Sequence, residues 1–187
     1  METVYVLYCK MENVMKIFFP KKLVEASKIN CEICLAIAEK RGNEVSGLLK
    51  LAEEARNTGL AELSRQFVTP VDREDIASLF VMLYEVAFYL GETAEFASRS
   101  GVVRTAAEYL ETAMGNCDVI HRIMQGDSLP TPDILLNEYG LSRASALKIL
   151  PPKNNIVLYS VYSAAKKCEE LSFRIIDYIL RSSIKNN

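Results

Sequence analysis

Glycine and proline are scarce in this chain, and they stand between long segments whose apolar residues recur at helical spacing. The 187 residues contain 8 glycines and 6 prolines. Between these breaks, apolar residues return every three or four positions and form one stripe along each segment. The pattern predicts an all-α protein, an antiparallel helical bundle of about six helices without a sheet.

The breaks also set the bounds of the predicted helices. Phe19-Pro20 precedes the first helix, and the next breaks follow at 41–43, 68–70 and 100–101. Long helices are predicted at 21–40, 44–67, 70–98, 102–125 and 155–184, with short helical pieces at 131–139 and 142–149. Strand signals occur only at 3–9, where a lone strand has nothing to pair with. We therefore expect an N-terminal extension at 1–17 and one bundle at 18–187, with Met11 as an alternative start to Met1.

Composition narrows the environment in which the protein works. The net charge of -2 and the pI of about 5.6 give no basic surface for duplex nucleic acid. The longest apolar run, 76–90, is interrupted by Glu85 and is shorter than the roughly 18 residues of a spanning helix. Five cysteines without a framework spacing are typical of a reducing compartment. The expectation is a cytoplasmic protein that reaches a membrane only through a partner, with 76–90 as the central helix.

The residues suited to bond chemistry are few. His121 is the single histidine, so a nucleophilic site would need it as the base. Cys31 and Cys34 have the spacing of a redox or zinc motif, but they lie mid-helix, and no second pair with this spacing exists. Ordinary packing is the favoured interpretation, with redox or metal chemistry as the alternatives. We predict neither enzymatic activity nor a cofactor.

Acidic residues are not spaced for a multinuclear metal cluster. Carboxylates that share one helix face stand four residues apart, and none of the 24 acidic residues has such a partner. A single ion remains open, with Glu53, Glu85, Asp118 and His121 as weak candidate ligands. If Glu85 is buried, we expect its carboxylate to find a cation or a hydroxyl group.

The clearest local motif opens the third helix. Thr69 can cap the helix, and Pro70 fits the first helical position, where its missing N–H has no cost. Negative charge in the first turn then favours the helix dipole. Helix chemistry does not require Arg73, which we expect to contact an acidic residue of another helix. The candidate structural or partner-docking residues are Thr69, Pro70, Asp72, Arg73, Glu74 and Asp75.

This motif also carries a family resemblance. The run Phe67–Ile76, FVTPVDREDI, resembles the signature of the PhoU-related proteins found beside Pit-type inorganic-phosphate permeases. The phrase Phe18–Lys22 is similar to the family's start, and Lys167–Glu170 is a looser match. The resemblance implies two three-helix units and a regulatory or accessory role in phosphate transport. It also implies a membrane phosphate permease as the partner, reached by protein binding, and a homo-oligomer.

The chain departs from the metal-bearing members of the wider PhoU group. Those relatives hold iron or zinc through acidic pairs of the form Glu/Asp-x-x-x-Asp. Here the central helix has Tyr84, Glu85 and Phe88 in the corresponding stretch, and the fourth helix keeps Asp118 without its acidic partner. The resemblance therefore implies degenerate metal sites. Two alternatives stay open: a metal-binding PhoU-like sensor, and a helical dimerisation module with no transport role.

Overall fold

A computed structural model describes residues 20–65, 73–100, 104–125 and 156–185. These residues form five helices: α1 (Lys21–Ala38), α2 (Gly42–Arg65), α3 (Arg73–Ser100), α4 (Arg104–Gln125) and α5 (Ile156–Lys185). No strand occurs in these four ranges, so the all-α prediction is confirmed. The predicted short pieces at 131–149, the N-terminal extension and the Thr69 cap lie outside the described residues.

Four of the helices form a ring, and the fifth packs on one side of it. The ring runs α1, α3, α5, α4 and back to α1, while α2 lies against α1 and α3. Contacts between side chains fix the directions: Asp75 and Glu92 of α3 meet Arg181 and Ser160 of α5, so these two helices are antiparallel. The pairs α1–α2, α2–α3 and α1–α4 are also antiparallel. The pairs α1–α3 and α4–α5 run parallel.

The central position of α3 follows from its apolar surface. It packs against α1, α2 and α5, and its side chains are buried on most of its circumference. By length and composition, Arg73–Glu95 is also able to cross a membrane, with a mean hydropathy of 1.3. The sequence expectation had counted only the run at 76–90. In the bundle, 56% of the apolar 18-residue stretch of this helix is buried, as in the core helix of a bundle.

The turn between α1 and α2 is built without a glycine at its critical position. Lys40 has a φ of 60°, in the left-handed region that favours glycine. The N–H of Lys40 donates to the carbonyl of Ile37, and the N–H of Arg41 donates to the carbonyl of Ala36. These two bonds form a Schellman motif, which satisfies the last carbonyls of α1. Gly42, which the sequence suggested as part of the break, is the first residue of α2.

Candidate functional site

Different helix termini lie at the two ends of the bundle. We define the Asp75 end as the one that holds the starts of α1 and α3 and the ends of α2, α4 and α5. The contact of Ser27 on α1 with His121 on α4 places the end of α4 there. The antiparallel pairs α1–α2 and α2–α3 bring the first three termini together, and the contact of Asp75 with Arg181 adds the end of α5. The Arg73–Asp75 part of the motif therefore lies beside the C-terminal turns of α5.

Asp75 and Arg181 make an ion pair that joins α3 to α5. Arg181 Nη2 donates to Asp75 Oδ1 at 3.2 Å, and Nη1 lies 3.0 Å from Oδ2. Arg181 Nη2 also lies 2.7 Å from Asp177 Oδ2, one turn earlier on α5. The hydrogen bond with Asp75 raises the pKa of the Arg181 guanidinium. The buried Tyr178 lies nearby, where burial first and the Asp75 charge second raise its pKa to about 12.

The remaining described residues of the motif have a different environment. Arg73 and Glu74 are exposed in the first turn of α3, while Asp75 is half-buried. Glu74 and Asp75 place negative charge in the first turn, as the sequence predicted. The expected contact of Arg73 with another helix stays a prediction. Thr69, Pro70 and Asp72 lie outside the described residues.

The weak candidate metal ligands are dispersed over three helices and paired with other groups. Glu53 is exposed on α2 and lies 3.7 Å from Arg56 Nη2. Glu85 on α3 is 41% exposed, and its Oε2 lies 3.0 Å from Lys167 Nζ on α5. The expectation of a cation was made for a buried Glu85; this carboxylate is only partly buried and nevertheless pairs with a lysine. Neither Glu53 nor Glu85 faces another carboxylate in these contacts.

Asp118 and His121 share α4 but turn to different neighbours. Asp118 is exposed and its Oδ2 accepts from Arg122 Nε at 3.0 Å. His121 Nδ1 lies 2.8 Å from Ser27 Oγ on α1, and Ser27 itself donates to the carbonyl of Val24. Burial lowers the pKa of His121. Within the four described ranges, no group of three or more His, Cys, Asp or Glu side chains is arranged to hold a metal ion.

Sequence reasoning missed a cluster of thiols in the core. Cys34 of α1, Cys117 of α4 and Cys168 of α5 are buried together, and half-buried Cys31 lies one turn from Cys34. The sequence signal was present in part, because Cys117 lies on the apolar stripe of its helix and Cys31-x-x-Cys34 stood out. The spacing of cysteines along the sequence could not show that Cys117 and Cys168 join Cys34, since each of the three lies on a different helix.

Comparison with known proteins assigns no family to the chain. No family model matches it, and no curated protein matches it.

Proposed function

We propose that this chain is an accessory or regulatory protein of an inorganic-phosphate permease, and that it binds the permease through its Asp75 end. One observation carries the proposal. The two stretches that resemble the PhoU-related family, at 18–22 and 67–76, lead into helices that begin at this same end: α1 at Lys21 and α3 at Arg73. The helices into which these two distant stretches lead thus begin at one end of the bundle.

In this proposal, one motif residue at the Asp75 end stabilises the bundle and two others contact the permease. Asp75 is engaged with Arg181 and holds α3 against α5. Arg73 and Glu74 are exposed beside this ion pair, and Lys21 is exposed at the start of α1. Exposed charges of both signs suit a polar docking surface, where complementary charges fix the orientation of a partner. The protein then reaches the membrane through the permease and needs no span of its own.

Co-purification with a permease tests the proposal. The chain is co-expressed with a tagged Pit-type permease, and the permease is captured from detergent-solubilised membranes. We expect the chain to be retained, and we expect Arg73→Glu and Glu74→Lys to reduce its retention at least tenfold. Lys50→Glu is the matched control, since Lys50 is exposed in the half of α2 that is farther from the Asp75 end. Retention of this control should equal that of the unaltered chain.

Melting temperature separates docking from folding in the same experiment. Glu74→Lys should lower it by a few degrees, because the change replaces a negative charge that favours the first turn of α3 by a positive one. Retention is therefore compared at a temperature where each variant is still folded. If the chain is not retained by the permease, or if both variants are retained as well as the control, the proposal is wrong.

A second candidate function is homodimerisation, favoured by an apolar face on α3 and α5. Val81 and Phe88 of α3 and Phe173 of α5 are 43%, 47% and 51% exposed. Val81 and Phe88 lie four residues before and three residues after Glu85, so they share a face of α3 with the ion pair between Glu85 and Lys167. Exposed apolar groups rimmed by charge are typical of protein interfaces. A second copy of the chain can offer the same face, with lysine and glutamate in reach of each other.

Sedimentation distinguishes this candidate from the first. A dimer through this face predicts that Phe88→Glu shifts the chain to a monomer, whereas Leu51→Glu on α2 does not. Leu51 is a matched control because it is 50% exposed on a helix outside that face. A chain that is monomeric before any substitution would exclude the dimerisation module.

A further inference from the structure

Three cysteines from three different helices meet in the core of the bundle. Cys34, Cys117 and Cys168 are almost wholly inaccessible to solvent, with at most 2% of each residue exposed. The Sγ atoms of Cys117 and Cys168 are 3.6 Å apart, and Cys34 also forms a hydrogen bond with Cys117. Cys117 is therefore the middle thiol, in contact with one neighbour on α5 and another on α1.

We propose that Cys117 and Cys168 are a reversible oxidation site, where a peroxide converts the two thiols into a disulfide that links α4 to α5. The sulfurs are in van der Waals contact and have to approach to about 2.05 Å to bond. This is a movement of about 1.5 Å between two flexible side chains. The two helices that carry these cysteines, α4 and α5, are packed neighbours, so the two sulfurs are already in contact before oxidation.

The surroundings of the three thiols decide which sulfur reacts first. Hydrogen bonds from Cys168 and then Cys34 lower the pKa of Cys117, against burial, which raises it. The pKa values of Cys34 and Cys168 are raised, first by the hydrogen bond with Cys117 and next by burial. Burial raises the pKa of Cys31 to about 12. Cys117 is also the thiol in contact with both of the others, so we assign it as the sulfur that attacks the oxidant.

The reaction balances with hydrogen peroxide as the oxidant. The Cys117 sulfur attacks one peroxide oxygen and the O–O bond breaks. Cys117 becomes a sulfenic acid, and the other peroxide oxygen is released as water. The Cys168 sulfur then attacks the Cys117 sulfur, the S–O bond breaks, and a second water leaves. Two thiols and one peroxide thus become one disulfide and two waters, with two electrons passing from sulfur to oxygen. A dithiol reductant reverses the change.

The bond would join two helices that are far apart along the chain. Cys117 and Cys168 are separated by 51 positions. A disulfide across such a loop restricts the unfolded chain and so stabilises the folded one. The expected result is a rise in the melting temperature of about 5–10 °C on oxidation. The inference is independent of the permease role, because it concerns the core and not the Asp75 end.

The experiment treats the reduced, folded chain with hydrogen peroxide and follows mass and peptide linkage. We expect the count of five thiols in the sequence to fall by two. A peptide that links Cys117 to Cys168 should appear, and dithiothreitol should remove it. Cys168→Ala should abolish this peptide, and Cys31→Ala, the matched control, should keep it. The wild-type peptide map decides the question even if Cys168→Ala folds poorly.

Three outcomes would overturn the proposal. One is oxygen addition to cysteine without a Cys117–Cys168 peptide. Another is a linkage that joins other cysteines in its place. The third concerns rates. An alkylating reagent reaches the buried thiols only when the chain unfolds, so the rate of alkylation measures opening. If the Cys117–Cys168 linkage forms no faster than this alkylation, the reaction does not take place in the folded core.

Discussion

Gly59 of α2 lies so close to the ring of Phe80 on α3 that a Cβ atom at position 59 would overlap the ring. A reciprocal contact exists further along, where a Cβ at Gly91 of α3 would overlap Leu49 of α2. Each helix thus lacks a side chain where the other projects one. This close contact explains why α2 keeps a glycine in its interior, where glycine lowers helix propensity.

Gly59→Ala is expected to destabilise the protein by about 1–3 kcal/mol, because the added methyl group must displace the Phe80 ring. Gly47→Ala is the control on the same helix, since a Cβ there meets nothing within 4 Å. That change should stabilise the protein by about 0.5–1 kcal/mol through helix propensity. Urea unfolding of both variants checks the opposite signs, and equal signs would contradict the packing explanation.

Lys40→Gly is expected to stabilise the protein by about 1 kcal/mol, because Lys40 has a left-handed conformation that costs nothing for glycine. Lys50→Gly makes the same exchange in the interior of α2, where it should destabilise by about 1 kcal/mol. Thermal unfolding of the two variants provides the measurement. A destabilised Lys40→Gly variant would show that the turn is not strained.

Asp75→Asn should lower the melting temperature more than Asp118→Asn. The Asp75 carboxylate holds α3 to α5 through Arg181, whereas Asp118 pairs with Arg122 on its own exposed helix face. Exposed pairs within one helix contribute little to stability. Calorimetry at low and high salt checks the ranking, and the difference should shrink as salt screens the half-buried pair. A larger effect at Asp118 would exclude an anchoring role for Asp75.

Stability should fall as the pH drops below about 6.5, the pKa of an ordinary histidine. Burial lowers the pKa of His121, so in this range the unfolded chain takes up the proton before the folded chain does. Asp118 and Glu32 oppose the shift, while Lys28 reinforces it. The loss is complete once the pH is below the folded pKa. Denaturant unfolding between pH 7.5 and 5.5 measures it, and His121→Gln should flatten the profile.

Sequence reasoning located the helices because their ends carry local signals. The last long helix, expected at 155–184, is found at Ile156–Lys185, and the fourth ends at Gln125 as predicted. The turn at Lys40 escaped prediction because a lysine carries no signal for a left-handed conformation. The sequence predicted an antiparallel bundle, but it did not show that α4 and α5 run parallel or that Cys34, Cys117 and Cys168 meet. Both depend on packing between distant segments of the chain.

For the candidate site, the sequence likewise predicted the local role of residues but not their partners on other helices. The motif marked the start of α3, and helix electrostatics explained Glu74 and Asp75. Nothing in the sequence pointed to Arg181 as the partner of Asp75, because the two residues are 106 positions apart. Likewise, the partner of His121 on α1 is a serine, a residue type too common to be selected from a sequence.

The helix directions also set an order for folding. Helices α1, α2 and α3 follow one another as antiparallel neighbours, so their contacts close only short loops. Helix α5 reaches α3 only after the chain has passed through all the other elements, and closing that large loop costs entropy before any contact compensates for it. We therefore expect α5 to dock last and to detach first. Its amides should then exchange with solvent deuterium sooner than those of α3, which has neighbours on three sides.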